Sequence, residues 1–177
     1  IMETVCETKT PQGVAAAVRI PAPLDAARAE GLVLALDGVQ DPGNVGTMLR
    51  TAEAAGFSGA LLSPACADVF APKTVRATMG SVYRMPVWRG ELAGALSALK
   101  ERGFSVVSTE LGGEDFFAAL PGLKAPLALV IGSEGNGVTP AVRALSTHRL
   151  ALPMAGHVES MNAAVAAAIL MYSIGHR

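Results

Sequence analysis

The chain has 177 residues, with 14 Lys and Arg against 15 Asp and Glu and a formal net charge of −1. Apolar residues make up 51 % and charged residues only 16 %, which excludes a disordered chain and predicts one domain with a sizeable core. Near-neutral charge also argues against indiscriminate binding of nucleic acid, although it allows a local basic patch.

The chain lacks the sequence features of membrane and secreted proteins. No run approaches 18 apolar residues, and Glu3 and Glu7 stand where a signal peptide would have its apolar region. Cys6 and Cys66 are far apart and form no C-x-x-C pattern, so neither a zinc cluster nor a disulfide framework is indicated. We therefore expect a cytoplasmic protein with no membrane span and no metal.

Residues 1–30 differ in character from the rest of the chain. A turn at residues 10–13 precedes a short apolar run, Val14–Ile20, which predicts a strand that ends at Pro21. This part of the chain is typical of a linker that leads into a domain. Because residue 1 is Ile and not Met, we expect either a fragment or an added first residue.

From residue 31 to residue 177, short apolar runs alternate with helical patterns. In chain order, the predicted elements are strand Leu32–Leu36, helix Val45–Ala55, strand Ala60–Leu62, helix Pro72–Met79, strand Val82–Val87, helix Glu91–Arg102, strand Phe104–Ser108, helix Glu114–Leu120, strand Leu127–Ile131, helix Pro140–Ala144, strand Arg149–Leu152 and helix Ser160–Ile174. Strands and helices that alternate with short connections indicate an α/β domain with a parallel sheet.

Three glycine-rich polar loops each follow a predicted strand, at residues 37–46, 132–137 and 153–162. Ligands of parallel sheets bind beyond the carboxyl ends of strands, so these loops are the candidate site. Neither G-x-G-x-x-G nor G-x-x-x-x-G-K-[ST] occurs in them, which argues against NAD chemistry and nucleotide hydrolysis. The glycines still indicate close backbone approach or turns with positive φ.

The three loops resemble the three motifs of the SpoU (TrmH-like) branch of SPOUT RNA methyltransferases. The matching segments are DGVQDPGNVGTMLRTAEAAGF at 37–57, LVIGSEGNGV at 129–138 and LPMAGHVESMNAAVAAA at 152–168. This resemblance implies a parallel α/β fold with a C-terminal trefoil knot, although chains are rarely knotted. It also implies S-adenosylmethionine as cofactor, methyl transfer to a ribose 2′-hydroxyl of RNA, with 23S rRNA favoured over tRNA, and a homodimer whose site lies near the interface.

The resemblance assigns catalytic roles to Asn44, Arg50, Glu134, Ser160 and Asn162. Arg50 would activate the 2′-hydroxyl, but a guanidinium with a pKa above about 12 is a poor base, so we expect it mainly to bind phosphate and lower the hydroxyl pKa. Asn44 would lie beside Arg50, and it also suits a helix cap. Glu134 would orient Arg50. Ser160 and Asn162 would contact phosphate or ribose, and capping alone also explains a serine there.

Four further positions resemble those that hold the cofactor: Thr109, Gly132, Leu152 and Met161. Gly132 would bring the backbone close to the cofactor. Leu152 and Met161 would enclose the adenine, and Thr109 follows the strand predicted at Phe104–Ser108.

A basic run without acidic residues lies between Val69 and Gly90 and contains Lys73, Arg76, Arg84 and Arg89, with Tyr83 and Trp88 interleaved. Basic and aromatic side chains together suit RNA backbone contact and base stacking. An ordinary solvent-exposed face explains any one of them as well.

Two alternatives stay open. The same fold could methylate a base, or the chain could be a cofactor-binding RNA module without catalysis. Residues 10–23 resemble the segment that follows a small N-terminal RNA-binding domain in longer members of the family. Without such a domain, we expect this chain to select RNA weakly.

Overall fold

The computed structural model describes residues 10, 13–23, 26–156, 158 and 160–176. A six-stranded sheet with strand order β3-β2-β1-β5-β4-β6 forms its centre, and every neighbouring pair is parallel. The strands are β1 Leu32–Asp37, β2 Gly59–Leu62, β3 Val87–Arg89, β4 Ser105–Asp115, β5 Leu127–Gly132 and β6 His148–Ala151. The helices are α1 Pro42–Ala54, α2 Pro72–Thr78, α3 Leu92–Glu101, α4 Phe116–Ala119, α5 Pro140–Leu145 and α6 Ala163–Gly175. The predicted parallel α/β sheet is confirmed.

Helices cover both faces of the sheet, which explains why the central strands are continuous apolar runs. Alternate residues of β1 point to opposite sides. Leu34 and Leu36 belong to one apolar cluster, whereas Val33 and Ala35 belong to another. The first cluster is completed by residues of α1 and α6, and the second by residues of α3 and α5. No helix in the described ranges is long and apolar enough to span a bilayer.

Two predicted strands are wrong. Val14–Ile20 has no regular structure and is exposed, with Val14 at 80 %, and none of the described strands pairs with it to satisfy its backbone groups. The strand predicted at Val82–Val87 is instead a 3₁₀ turn, Ser81–Tyr83, followed by β3. Pro86 has no N–H to donate to a sheet, and the strand begins directly after it.

Several element boundaries also differ from the prediction. The first helix begins at Pro42 and not at Val45. β4 continues to Asp115, with an irregularity between Thr109 and Glu114, so the helix predicted from Glu114 begins at Phe116. The last helix begins at Ala163 and not at Ser160.

Two glycines allow α1 to pack closely against its neighbours. A Cβ on Gly46 would overlap the methyl group of Ala77 in α2, and a Cβ on Gly175 in α6 would overlap the Ala55 carbonyl oxygen. Side chains at these positions would push the helices apart. The close contacts therefore fix the position of α1, the helix that carries Asn44 and Arg50.

Candidate active site

The carboxyl ends of β1 and β5 bring the first two glycine-rich loops together. The two strands pair in register to their last residues, where Asp37 lies opposite Gly132. The backbone N–H of Thr139, which precedes α5, donates to Asp37 Oδ2 at 2.7 Å. The loops that follow the two strands therefore leave the sheet side by side.

One side chain from each of the three loops joins a single hydrogen-bonded network. Asn44 Nδ2 donates to Glu134 Oε1 at 2.6 Å, and Asn162 Nδ2 donates to Asn44 Oδ1 at 3.1 Å. Asn44 thus uses both ends of its amide. Its partners are 90 and 118 residues away in the sequence, so only the fold can bring the three residues together.

Local structure holds each member of this network. Asp41 caps α1 by accepting from the Asn44 N–H at 2.7 Å, so the predicted capping role of Asn44 is wrong. Asn162 caps α6 by accepting from the N–H groups of Ala164 and Val165 at 2.9 and 3.2 Å. The cap of α1 therefore fixes the position of the backbone at Asn44, and the cap of α6 fixes the orientation of the Asn162 side chain.

Glu134 lies in a tight turn between Ser133 and Gly137, whose backbones exchange hydrogen bonds of 3.0 and 2.9 Å. The turn explains the glycine at position 132, because a Cβ there would overlap the backbone of Gly137. Glu134 Oε2 makes no hydrogen bond with any described residue and is exposed to solvent. The network consequently presents one carboxylate oxygen that is free to accept a hydrogen bond.

Arg50 lies outside this network. It is six residues after Asn44 on α1, about 9 Å further along the helix axis, and its side chain is exposed. It forms no hydrogen bond or ion pair within the part of the chain that the structure describes. The resemblance implied that Glu134 orients Arg50, whereas here Glu134 is bound by Asn44.

An open cavity of about 350 Å³ lies beside Arg50. Its lining consists of Arg50, Glu53, Ala54, Met79, Ser81 and Arg84. Arg84 and Glu53 form a two-pronged ion pair there, with Arg84 Nη2 2.8 Å from Glu53 Oε2. Arg50 is therefore the unpaired cation of this cavity.

The loop that precedes α6 carries Ser160 and Met161 next to Asn162. Ser160 is exposed and has no hydrogen-bond partner in residues 26–156, 158 and 160–176. The cap of α6 is Asn162, so the alternative that Ser160 caps this helix is wrong. Met161 and Val158 leave 36 % and 64 % of their surface exposed. His157 and Glu159 lie outside the described residues.

The other proposed cofactor positions lie on or just after three neighbouring strands: Gly132 ends β5, Thr109 lies in β4 where its irregularity begins, and Leu152 follows β6. Thr109 pairs with Leu150 of β6, and its hydroxyl donates to the Val130 carbonyl oxygen of β5 at 3.2 Å. The Thr109 side chain thus binds the sheet. Leu152 follows β6 and packs half-buried on the first apolar cluster.

Two arginines of the basic run have partners within the chain. Arg84 binds Glu53, and Arg89 donates to the carbonyl oxygens of Pro64 and Cys66 at 2.8 and 2.9 Å. Trp88 is half-buried against the second apolar cluster. All four basic side chains of the run and Tyr83 are exposed, and Lys73 lies 3.9 Å from Asp41, so RNA contact by this run stays a prediction.

Sequence reasoning missed Asp41 and the Glu53–Arg84 pair. An Asp followed by Pro42 at the first helical position is a recognised helix start, so the signal for Asp41 was present. No sequence signal joins Glu53 to Arg84, because a separation of 31 residues matches no local pairing pattern.

Comparison with known proteins assigns the family. Residues 31–172 match the SpoU rRNA Methylase family. Over 170 residues the chain is 41 % identical to 23S rRNA (guanosine(2553)-2'-O)-methyltransferase RlmP of Bacillus subtilis (strain 168). The aligned region covers 96 % of this chain and 67 % of that protein. The chain spans between 57 % and 67 % of the length of such curated relatives.

Solved structures agree with this assignment. An AdoMet-bound rRNA methyltransferase from Sinorhizobium meliloti superposes with a TM-score of 0.79 at 32 % identity, over 86 % of this chain and 60 % of that one. The SpoU methyltransferase AviRb from Streptomyces viridochromogenes, in complex with AdoMet, gives 0.75 at 31 % identity, over 88 % and 62 %. The chain described here belongs to the SpoU rRNA Methylase family.

Proposed function

We propose that residues 31–177 form the catalytic domain of an RNA 2′-O-ribose methyltransferase that uses S-adenosylmethionine and acts on rRNA. The single observation that carries this proposal is the Asn44–Glu134–Asn162 network. It joins one polar side chain from each of the three loops at the edge of the sheet where ligands bind. The named activity of the relatives, 2′-O-methylation of 23S rRNA in one of them, is consistent with it.

The surface between β5, β4 and β6 has the chemistry that S-adenosylmethionine requires. Leu152, Val158 and Met161 expose apolar surface suited to an adenine ring, and the backbone around Thr109 and after Gly132 supplies polar groups. When bound, the cofactor supplies a methyl group on a positively charged sulfur. Leu152, Val158 and Met161 would hold it and exclude water from one side.

The RNA would lie across the network and the Arg50 cavity. Asn44 and Asn162 are held rigidly by each other and by helix caps, so they are suited to position a ribose for in-line transfer. Arg50 would bind a phosphate and favour loss of the 2′-hydroxyl proton, because a nearby cation stabilises the alkoxide. If Arg50→Lys shifts no ionisation in the pH–rate profile, Arg50 is not the proton acceptor.

The same proposal includes a C-terminal trefoil knot, a homodimer and a location in the cytoplasm. On α6, Val165 and Tyr172 are 51 % and 47 % exposed, and a second subunit would cover such apolar surface. Residues 13–23 have no regular structure and are largely exposed, which supports a linker at residues 1–30.

Transfer of a tritiated methyl group tests this function. The protein is incubated with labelled S-adenosylmethionine and total RNA from a strain whose corresponding gene is deleted. We expect label in 23S rRNA at a 2′-O-methylated ribose that resists alkaline cleavage. Label found in a modified base after digestion to nucleosides would show that the protein methylates a base and not a ribose. Cofactor binding without transfer to any RNA would favour the non-catalytic alternative.

A further inference from the structure

Arg50 and Glu53 lie one turn apart on α1 and line the same cavity. Side chains three residues apart on a helix are neighbours, with Cβ atoms about 5–6 Å apart, and opposite charges at this spacing attract each other. Glu53 is therefore the natural partner of Arg50. In the structure it is not paired with Arg50.

Both oxygens of Glu53 are taken by Arg84. Arg84 Nε donates to Oε1 at 2.5 Å and Nη2 donates to Oε2 at 2.8 Å. A planar guanidinium matches a carboxylate in this two-pronged geometry, which makes it a stronger partner than a single contact. The hydrogen bond from Arg84, aided by one from Ser81, lowers the pKa of Glu53, so the carboxylate stays charged and bound.

A rigid turn delivers Arg84 to this position. The Arg84 N–H donates to the Ser81 carbonyl oxygen at 3.0 Å, and Val82 and Met85 on either side are buried. Gly80, with φ of 89°, reverses the chain before the turn. The pairing of Arg84 with Glu53 is thus set by the packing of the turn against α1.

We propose that Arg84 is a positioning residue, which occupies both oxygens of Glu53 and thereby leaves the Arg50 guanidinium free for an RNA phosphate. This inference rests on the proposed function. It differs from the sequence-based prediction that Arg84 contacts RNA itself. The two roles give opposite results when Glu53 is removed together with Arg84.

The test compares Arg84→Gln, Glu53→Gln and the double variant with wild type, by kcat and KM for methyl transfer to unmodified 23S rRNA transcribed in vitro. In Arg84→Gln, Glu53 is released and pairs with Arg50, so kcat/KM falls about two- to fivefold, the strength of an exposed ion pair. The double variant has no carboxylate at position 53 to pair with Arg50, so its kcat/KM returns most of the way to the wild-type value. Glu53→Gln alone retains more activity than Arg84→Gln.

Lys124→Gln is the matched control, because it removes one exposed positive charge just before β5, and Lys124 does not line the Arg50 cavity. A double variant as weak as Arg84→Gln would show that Arg84 contacts RNA directly and would overturn the proposal. Equal losses in Glu53→Gln and Arg84→Gln, with equal falls in melting temperature, would mean that the pair is only structural. The affinities of the same proteins for the same RNA decide the inference even if wild type transfers no methyl group and the proposed function fails.

Discussion

Asn44 and Glu134, 90 residues apart in the sequence, share a 2.6 Å hydrogen bond between an amide N–H and a carboxylate oxygen. The bond has a direction, since Asn44 must present its Nδ2 to Glu134 and its Oδ1 to Asn162. An isosteric carboxylate cannot do both. This polarity makes Asn44 the most sensitive position in the network.

Asn44→Asp should lower kcat/KM more than Asn44→Ala. The new carboxylate would face Glu134 and repel it, whereas alanine only removes the contacts. We expect a loss of about 100-fold for Asn44→Asp, the scale of a misplaced reacting group. Steady-state methyl transfer and melting temperature measure it. Similar kinetics for both variants would mean that the hydrogen bond to Glu134 is unimportant.

Asn162 has two roles that one substitution separates. Asn162→Asp keeps an acceptor for the N–H groups of Ala164 and Val165, so α6 stays capped and stability is retained. It loses the donor to Asn44, so activity should fall. Asn162→Ala should lose activity and also about 1 kcal/mol of unfolding free energy. Urea unfolding and methyl transfer are measured on both, and full activity in Asn162→Asp would contradict the role of the donor.

Asp41 should contribute to stability as the cap of α1. Asp41→Ala is expected to lower the unfolding free energy by about 1 kcal/mol, because the Asn44 N–H loses its acceptor. Asp41→Ser keeps an acceptor oxygen and serves as the control, with a much smaller loss. Unfolding in urea measures the difference. Equal stability of the two variants would show that the cap contributes nothing.

The ion pair of Glu53 and Arg84 predicts a pH dependence. The folded pKa of Glu53 lies below the ordinary carboxyl value of 4.5, chiefly because Arg84 hydrogen-bonds to it. Its stabilisation is therefore complete above pH 4.5 and is lost as the pH falls through the lower folded pKa. Wild type should be more stable than Glu53→Gln at pH 7, and this advantage should shrink at pH 3. Chemical denaturation at both values checks it, and a constant difference would contradict the prediction.

Gly46→Ala should destabilise the fold by about 1–3 kcal/mol, because the added methyl group overlaps Ala77 between α1 and α2. Gly122→Ala is the control, since a Cβ there meets nothing within 4 Å. Thermal melting of the two variants compares them directly. If Gly46→Ala has the same melting temperature as wild type, the close contact of the two helices does not limit their packing.

Local sequence determined which segments become buried strands and where several helices begin. The apolar runs of β1 and β5 predict buried strands, and Pro72 and Pro140 mark helix starts, since Pro suits the first helical turn. The three glycine-rich loops predicted the edge of the sheet at which the candidate site lies. The parallel sheet followed from the alternation of these elements.

Tertiary structure decided what depends on contacts between distant residues. Val14–Ile20 is as apolar as a strand, yet none of the strands in the described ranges pairs with its backbone. Ser160 and Asn162 are both good helix caps, and only the packing at Asn44 selects Asn162. The charge pattern grouped Arg84 with the RNA-binding candidates. In the fold Arg84 pairs with Glu53, and Arg50 has no partner among the described residues. Hydrogen bonds and ion pairs depend on distances in space, which a sequence pattern does not contain.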